Sequence, residues 1–368
     1  MERCRVAAMS AFVPGRELNR RFYEQAVAPV LRSRFPRLRY SAALLGPGSE
    51  VLGYDTELSK DHDWGPRAQL FLTPQDCRRL RSRIADALAG GLPPTFAGLS
   101  TRFTEPDADH VRVRVTDEGK GGTPSVWIGS TREFFRGYLH FDPVRKPTDL
   151  DWLLFPSQKL MTIAGPIFRD DLDLARIQSM FRYYPRDIWL HLLAVQWLRV
   201  SEEEAFVGRT GAVGDRLGSR LLAARQVREM MRLAFLLERR YYPYDKWFGT
   251  AFRELRLAKS LQPLLERGLA ARTPASRQSA LSGAYELLAR RQNALRISRP
   301  LPTRVTRFHD RPYLVIHAGE YAAAIRSRIR NRTVRELPRI GSIDQFGSTE
   351  ELGSRGKQLV ALRRLLCS

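Results

Sequence analysis

The sequence predicts an α+β fold: an N-terminal mixed-sheet domain, then a mainly α-helical bundle domain, then a small C-terminal β-hairpin and helix. Three observations predict it. Between Pro14 and Leu139, helical periodicity is interleaved with short apolar or alternating runs. From Trp152 to Leu295 only the helical period continues. Arg304 to His317 then holds two alternating runs around Asp310-Arg311-Pro312, a hairpin pattern, followed by a helical run from Glu320 to Arg330. The implied domains are 12–145, 146–298 and 299–368, with the first boundary in His140 to Leu150, where proline and charge cluster.

Taken in order, Leu18, Phe22, Ala26 and Val30 recur at helical spacing, so Pro14 to Phe35 reads as a first helix, with Pro29 a candidate kink. Ser41 to Leu45 is an apolar run suited to a short buried strand, and Gly46-Pro47-Gly48-Ser49 a tight turn. Gln69 to Leu72 continues as strand. Thr73-Pro74-Gln75-Asp76 opens a helix, with Thr73 as cap and Pro74 at its first position, ending near Gly90-Gly91. Val111 to Val115 alternates and, with a turn at Asp117 to Pro124 and a strand at Ser125 to Ile128, suggests a hairpin. Thr131 to Leu139 reads as a short helix. The later helices are Trp152–Ala164, Leu174–Phe181, Pro185–Leu198, a long run from Gly211 to Arg240, Leu261–Ala270 and Arg277–Leu295. In the long run Val227, Met230, Met231, Ala234 and Leu237 make an apolar stripe that reads as core.

Composition sets limits. The 368 residues, 43% hydrophobic and 27% charged, are enough for a sizeable core. A formal net charge of +22 points to an anionic partner such as a nucleotide or nucleic acid, or else to a bias toward arginine. Cys4, Cys77 and Cys367 are far apart and odd in number, which suits a reducing compartment and excludes a thiolate zinc site. No apolar run approaches membrane-spanning length, and the short apolar patch near the N-terminus does not make a signal peptide. The expectation is a cytoplasmic protein without membrane partners. There is no GxxxxGK[ST], no HExxH and no GxSxG, so P-loop, zincin and serine-hydrolase chemistry find no support.

The stretch that carries chemistry runs from Leu44 to Leu72. Its turn, Gly48-Ser49, is followed twelve residues later by Asp61-His62-Asp63. On a strand, Asp61 and Asp63 share one face and His62 takes the other. Two close carboxylates repel unless a cation lies between them, and Mg²⁺ (or Mn²⁺) suits hard oxygen ligands plus substrate phosphates. The Gly48-Ser49 turn offers backbone N–H groups to phosphate oxygens. A solvated strand end is the alternative for an isolated Asp-x-Asp.

This pattern resembles the signature of the DNA polymerase β-like nucleotidyltransferase superfamily. GPGSEVLGYDTELSKDHDWG, with YYPRDIW (Tyr183 to Trp189) and RYYPYDKWFGTAF (Arg240 to Phe252), resembles a bacterial family known only as a domain of unknown function and regarded as nucleotidyltransferase-like. The likeness runs from about Phe12 to Phe346. It implies that Asp61 and Asp63 hold the catalytic metal, that Gly48 and Ser49 bind the triphosphate, and that a third carboxylate stands on a neighbouring strand. At that place, in Ser125 to Ile128, the chain has Val126-Trp127-Ile128, and Trp127 neither ligates a metal nor accepts a proton. Asp107, Asp109, Asp117 and Glu118 are the candidate replacements. Asp55 and Glu57 lie in the spacer, where they either assist the site or are solvated loop residues.

Further on, Lys246 and Trp247 sit in an aromatic and basic cluster from Arg239, suited either to a triphosphate and a base or to a capped helix junction. Arg186 and Asp187, and Arg209 and Asp215, are weaker pairs. The resulting expectation is transfer of a nucleoside monophosphate from a nucleoside triphosphate to an unidentified hydroxyl on a small molecule, protein or RNA. The rival is a nucleotide- or nucleic-acid-binding protein that keeps the fold and lacks the third carboxylate.

Overall fold

A computed structural model describes residues 12–60, 64–105, 113–115, 121–347 and Leu362. The chain is α+β and divides into two compact units, the first comprising 1–145 with 161–181 and the second 146–160 with 182–368.

The first unit is built on a four-stranded mixed sheet in the order β7-β2-β1-β8. It starts with α1 (Gly15–Phe22) and α2 (Ala28–Arg34), joined without a break by a π-helical turn at Tyr23–Val27. The reason is Pro29. It has no N–H to donate, and its ring crowds the carbonyl four residues back, so the preceding turn widens and the Ala28 N–H bonds the Tyr23 carbonyl. Then come β1 (Ser41–Ala43), α3 (Ser49–Leu52), a 3₁₀ turn at Glu57–Ser59, β2 (Ala68–Leu72) and α4 (Pro74–Gly91). Thr73 caps α4 by accepting the Asp76 N–H at 3.1 Å, with Pro74 at the first position, as its sequence signals.

Two small ribbons follow, β3 (Thr95–Phe96) with β4 (Leu99–Ser100), and β5 (Arg102–Phe103) with β6 (Thr123–Pro124). Next is β7 (Val126–Ser130), which leads into α5 (Thr131–Leu139) through a capping box between Ser130 and Glu133. The hairpin suggested for Val111–Ile128 is corrected. Arg114 bridges Phe103, while β7 runs parallel to β2, pairing Gln69 with Trp127. After α6 (Asp149–Leu154) and α7 (Ser157–Thr162) the chain adds β8 (Ile167–Asp170), antiparallel to β1, and α8 (Leu174–Met180). The single helix read at Trp152–Ala164 divides into α6 and α7 because Pro156 cannot donate and holds Phe155 extended.

Both sheet faces are covered, and every residue of β2 is buried. Ala42, Leu70, Leu72 and Val126 pack on one face against Phe22, Val27, Leu31, Ile84 and Leu88 from α1, α2, α4 and the turn between the first two. On the other face Phe71 meets the Phe134 ring edge-on at 5.5 Å, and Phe135 stacks on Phe181 at 5.7 Å.

The second unit is mostly helical. Its axis is α9 (Arg186–Glu203), buried almost throughout from Ile188 to Val200. The run read as one long helix is α10 (Phe206–Ala212) and α11 (Arg216–Leu237), separated where Gly214 takes a φ of +80° and Asp215 caps the next helix. Of the stripe, Val227, Met230, Ala234 and Leu237 are buried core, while Met231 is half-buried. Then follow α12 (Asp245–Arg253), α13 (Ala258–Ala270), α14 (Pro274–Ala294), the hairpin β9 (Thr306–Phe308) and β10 (Arg311–Val315), α15 (Ala318–Arg326), α16 (Arg332–Glu336) and α17 (Ile343–Phe346). Trp197 stacks on Tyr321 at 4.5 Å, fastening α9 to α15.

The buried Glu204 joins α9 to the hairpin's exit, accepting the Ile316 N–H at 2.8 Å and the Ala318 N–H at 3.1 Å. Burial pushes its carboxyl up to about 7 against the pull of those N–H groups. A raised folded pKa gives stability that is complete below the unfolded value and is lost as pH rises through the folded one. Glu204→Gln keeps one acceptor and never charges. Its stability relative to wild type, measured by urea unfolding, is therefore expected to rise by up to about 3 kcal/mol between about pH 5 and about pH 8. A pH-independent difference would show that Glu204 is already charged in the folded protein at about pH 5, with no raised pKa.

Candidate active site

The Gly46–Ser49 turn leaves the end of β1 and runs into α3. Leu44 and Leu45 are buried, and the Gln69 side chain clamps Leu45 from β2. The Leu45 N–H donates to Gln69 Oε1 at 2.9 Å, and Gln69 Nε2 donates to the Leu45 carbonyl at 3.0 Å. Gly48 has a φ of +136°, and a Cβ there would lie 2.5 Å from Glu50 Oε2 and 2.6 Å from Arg67 Nη2. Only glycine fits this backbone in this space.

What fills the space is an ion pair. Arg67 Nη2 lies 2.5 Å from Glu50 Oε1, with the side chains 13% and 2% exposed. The same Nη2 donates to the Pro47 carbonyl at 2.5 Å. Burial raises the Glu50 carboxyl above the usual range, and Arg67 partly opposes that shift. The Arg67 N–H donates to Asn19 Oδ1 at 2.5 Å, and Asn19 Nδ2 donates to the Gly15 carbonyl at 2.8 Å. Asp55 completes the set, accepting from the Gly15 N–H at 2.7 Å and from Trp64 Nε1 at 3.0 Å. Asp55 thus fastens α1 to the loop, while Glu57 pairs with Lys60 at 2.6 Å.

Beside this turn opens a cavity of about 200 Å³, whose wall includes Pro47, Arg67, Gln69, Phe103, Trp127 and Phe134. Register puts Gln69 and Trp127 side by side on one sheet face. The Trp127 indole lies over Gly129, where an added Cβ would sit 2.4 Å from the ring, and it touches Phe71 and Phe134 at centroid distances of 5.6 and 5.7 Å. The strand position that the resemblance assigns to an acid is therefore an aromatic wall. None of the described residues lining the cavity is a carboxylate.

Of the site residues read from sequence, Gly48 and Ser49 form this turn, with Ser49 the first residue of α3 and largely buried. Asp61 and Asp63, like His62, Asp107, Asp109, Asp117 and Glu118, lie outside the described residues. Among the described residues no group of three or more His, Cys, Asp or Glu is gathered for a metal ion. Arg67 and Glu50 were not singled out by sequence. For Arg67 the signal was there, since Arg67, Gln69 and Phe71 share a parity leading into β2.

Lys246 belongs to the second unit, exposed in the first turn of α12, with its ammonium 5.3 Å from the Trp247 ring. The tyrosines of the two YYP motifs pack together: Tyr184 lies 5.1 Å from Tyr183 and 5.0 Å from Tyr241. Arg186 and Asp187 pair at 2.7 Å, and Asp187 also accepts the N–H groups of Arg330 and Asn331. Burial opposes the charge on Asp187, but those N–H groups and Arg186 outweigh it and lower its pKa. Arg209 lies over the Phe206 ring, while Asp215 caps α11 through the Gly218 N–H, so each has its own partner.

A family model matches residues 152–248. Its description is a domain of unknown function, DUF4037. The match runs from α6 into α12 and includes both YYP motifs. No curated protein and no solved structure matches the chain. Among the described residues no helix is long and apolar enough to cross a membrane.

The turn yields a direct comparison. Gly46 also has a positive φ, yet a Cβ there would meet only Phe134 ring atoms at 3.7–3.8 Å. Both Gly→Ala changes strain the backbone by on the order of 1–3 kcal/mol, but Gly48→Ala must also displace the buried ion pair. Denaturant unfolding is expected to show the larger loss for Gly48→Ala. Equal losses would mean that the Glu50–Arg67 pair does not occupy that space.

Proposed function

We propose that the chain is a metal-dependent nucleotidyltransferase, a member of the nucleotidyltransferase superfamily that its motifs resemble. The observation that carries the reading is the Gly48-Ser49 turn. It leaves a buried strand and borders a cavity, next to the strand whose approach carries Asp61 and Asp63 in the sequence. In this reading Asp61 and Asp63 would hold Mg²⁺ or Mn²⁺ on a nucleoside triphosphate and the Gly48-Ser49 turn would take the phosphates, with Arg67, paired to Glu50, holding the turn in shape. The acceptor hydroxyl would lose its proton to a base and attack the α-phosphorus, the bond to the bridging oxygen of the β-phosphate would break, and pyrophosphate would leave; a bound metal would stabilise its developing charge. The acceptor is a small molecule, a protein or RNA, and the charge of +22 favours anionic acceptors. Lys246 is a second candidate for the triphosphate.

Trp127 supports a second reading, a nucleotide or nucleic-acid binder without transfer activity. If the acid normally at that strand is the general base, its loss costs on the order of 10²–10⁴ in rate.

Calorimetry with ATP, CTP, GTP and UTP tests the nucleotide site that both readings share. We expect one triphosphate to bind with Mg²⁺, and Asp61→Asn with Asp63→Asn to weaken it at least about tenfold, or about 1.4 kcal/mol. Pyrophosphate release with candidate acceptors then divides enzyme from binder. Binding indifferent to both the metal and the aspartates would refute the site.

A further inference from the structure

The second unit contains a separate cavity of about 330 Å³ between α9 and α15, with residues of α16 and the segment after it at its edge. Its walls are apolar, formed by Ala194, Val195 and Leu198 of α9 with Ala322 and Ala323 of α15. Three arginines, Arg326, Arg335 and Arg339, also line it. None of them has a carboxylate partner among the described residues, and no lining residue is acidic. The nearby Glu336 is engaged by Arg332 at 2.7 Å. Arg326 donates to the Arg335 backbone carbonyl, which fixes one side of its guanidinium. Burial lowers its pKa, and repulsion from Arg339 adds to the effect.

His191 of α9, 1% exposed, also lines the cavity. Neither ring nitrogen has a hydrogen-bond partner among the described residues. Burial, with repulsion from Arg326, brings its pKa down to about 4, so at neutral pH the ring is uncharged, with one N–H to give and one lone pair to fill. A buried polar group left unmet costs about 1–3 kcal/mol. The exposures define the arrangement: His191 is at the floor, while Arg335 and Arg339 are exposed at the rim.

We propose that this cavity binds a small organic anion. Its carboxylate or phosphate head meets the arginine rim, its apolar body lies along the alanine, valine and leucine walls, and a polar substituent at its far end reaches His191. The guanidinium fork suits either head by paired hydrogen bonds, and an anion removes the mutual repulsion of the arginines. The apolar walls argue against a nucleic-acid backbone, which would satisfy the rim and leave them uncovered. The size is in the range of small-molecule sites. This inference does not depend on the nucleotidyltransferase reading, whose residues Gly48 and Ser49 belong to the first unit.

The test is calorimetry on the full chain with phenyl phosphate, benzoate and 4-hydroxybenzoate, and with inorganic phosphate and benzyl alcohol as the separated halves. We expect saturable binding of at least one aromatic anion tighter than ~1 mM, inorganic phosphate at least about tenfold weaker, and no binding of benzyl alcohol. Arg335→Gln with Arg339→Gln, both exposed, should weaken the anion at least about tenfold and flatten its salt dependence. Ala323→Trp, at an exposed helix position on the cavity wall, should abolish binding while thermal unfolding still shows a folded protein. 4-Hydroxybenzoate should bind more tightly than benzoate to wild type and equally to His191→Phe. No saturable binding by any of the three aromatic anions, or binding undiminished by both the filling and the arginine changes, would overturn the proposal.

Discussion

The arrangement of the first unit depends on the buried pair between Glu50 and Arg67. It occupies the volume that a side chain at position 48 would need, so both the φ of +136° and the space there call for glycine. Arg67 also reaches the Pro47 carbonyl, and through Asn19 it reaches the first turn of α1. One arginine therefore sets the relative positions of α1, the turn after β1 and the approach to β2. A buried pair of this kind adds little net stability, because desolvation offsets the attraction, but breaking it from one side leaves an uncompensated charge at a cost of about 3–5 kcal/mol. Its role is geometric: it makes the turn conformation a consequence of the fold.

The second unit shows the same physics with two outcomes. Glu204 and Glu229 are equally buried, each 8% exposed. Burial is the largest influence on both and raises both. Glu229 has Arg199 at 3.0 Å and Arg232 at 3.6 Å, and these carry its pKa below the ordinary carboxylate value. Glu204 has only backbone N–H groups, and they do not overcome burial. Full positive charges nearby decide the sign where amide dipoles do not. On α9 the contrast recurs with neutral groups: Gln196 is tied to Glu229 and Gln345, while His191, one and a half turns earlier, is tied to nothing among the described residues.

Much of the fold was legible because its signals are local. The Thr73 cap with Pro74, the Ser130 to Leu139 stretch and the buried stripe of α11 each follow from a few neighbouring residues. What failed was non-local. A strand at Ser125–Ile128 was legible but its partner was not, and proximity in sequence to Val111–Val115 favoured a hairpin; β7 instead pairs in parallel with β2 across the α4 crossover. The four residues of β8, half-buried and following Gly165-Pro166, carry too few positions for a period. At the candidate site, Gly48-Ser49 was legible from glycine chemistry. Glu50 was not, because a glutamate beside a turn reads as solvated and only the fold buries it.

Trp127 bears most directly on what the first unit's cavity does. A carboxylate at that position would put negative charge on the face shared with Gln69, near the turn. The indole removes that charge and covers Gly129, so the two residues form one unit of packing. The described wall then holds one guanidinium and several aromatic rings with no acid. Because that guanidinium is already paired with Glu50, what the wall offers a ligand is chiefly a stacking face for a flat ring. The wall does not suit a metal ion, which needs anionic oxygens. Under the proposed function, then, metal binding would have to come from Asp61 and Asp63 and not from the described wall of this cavity, which holds no carboxylate.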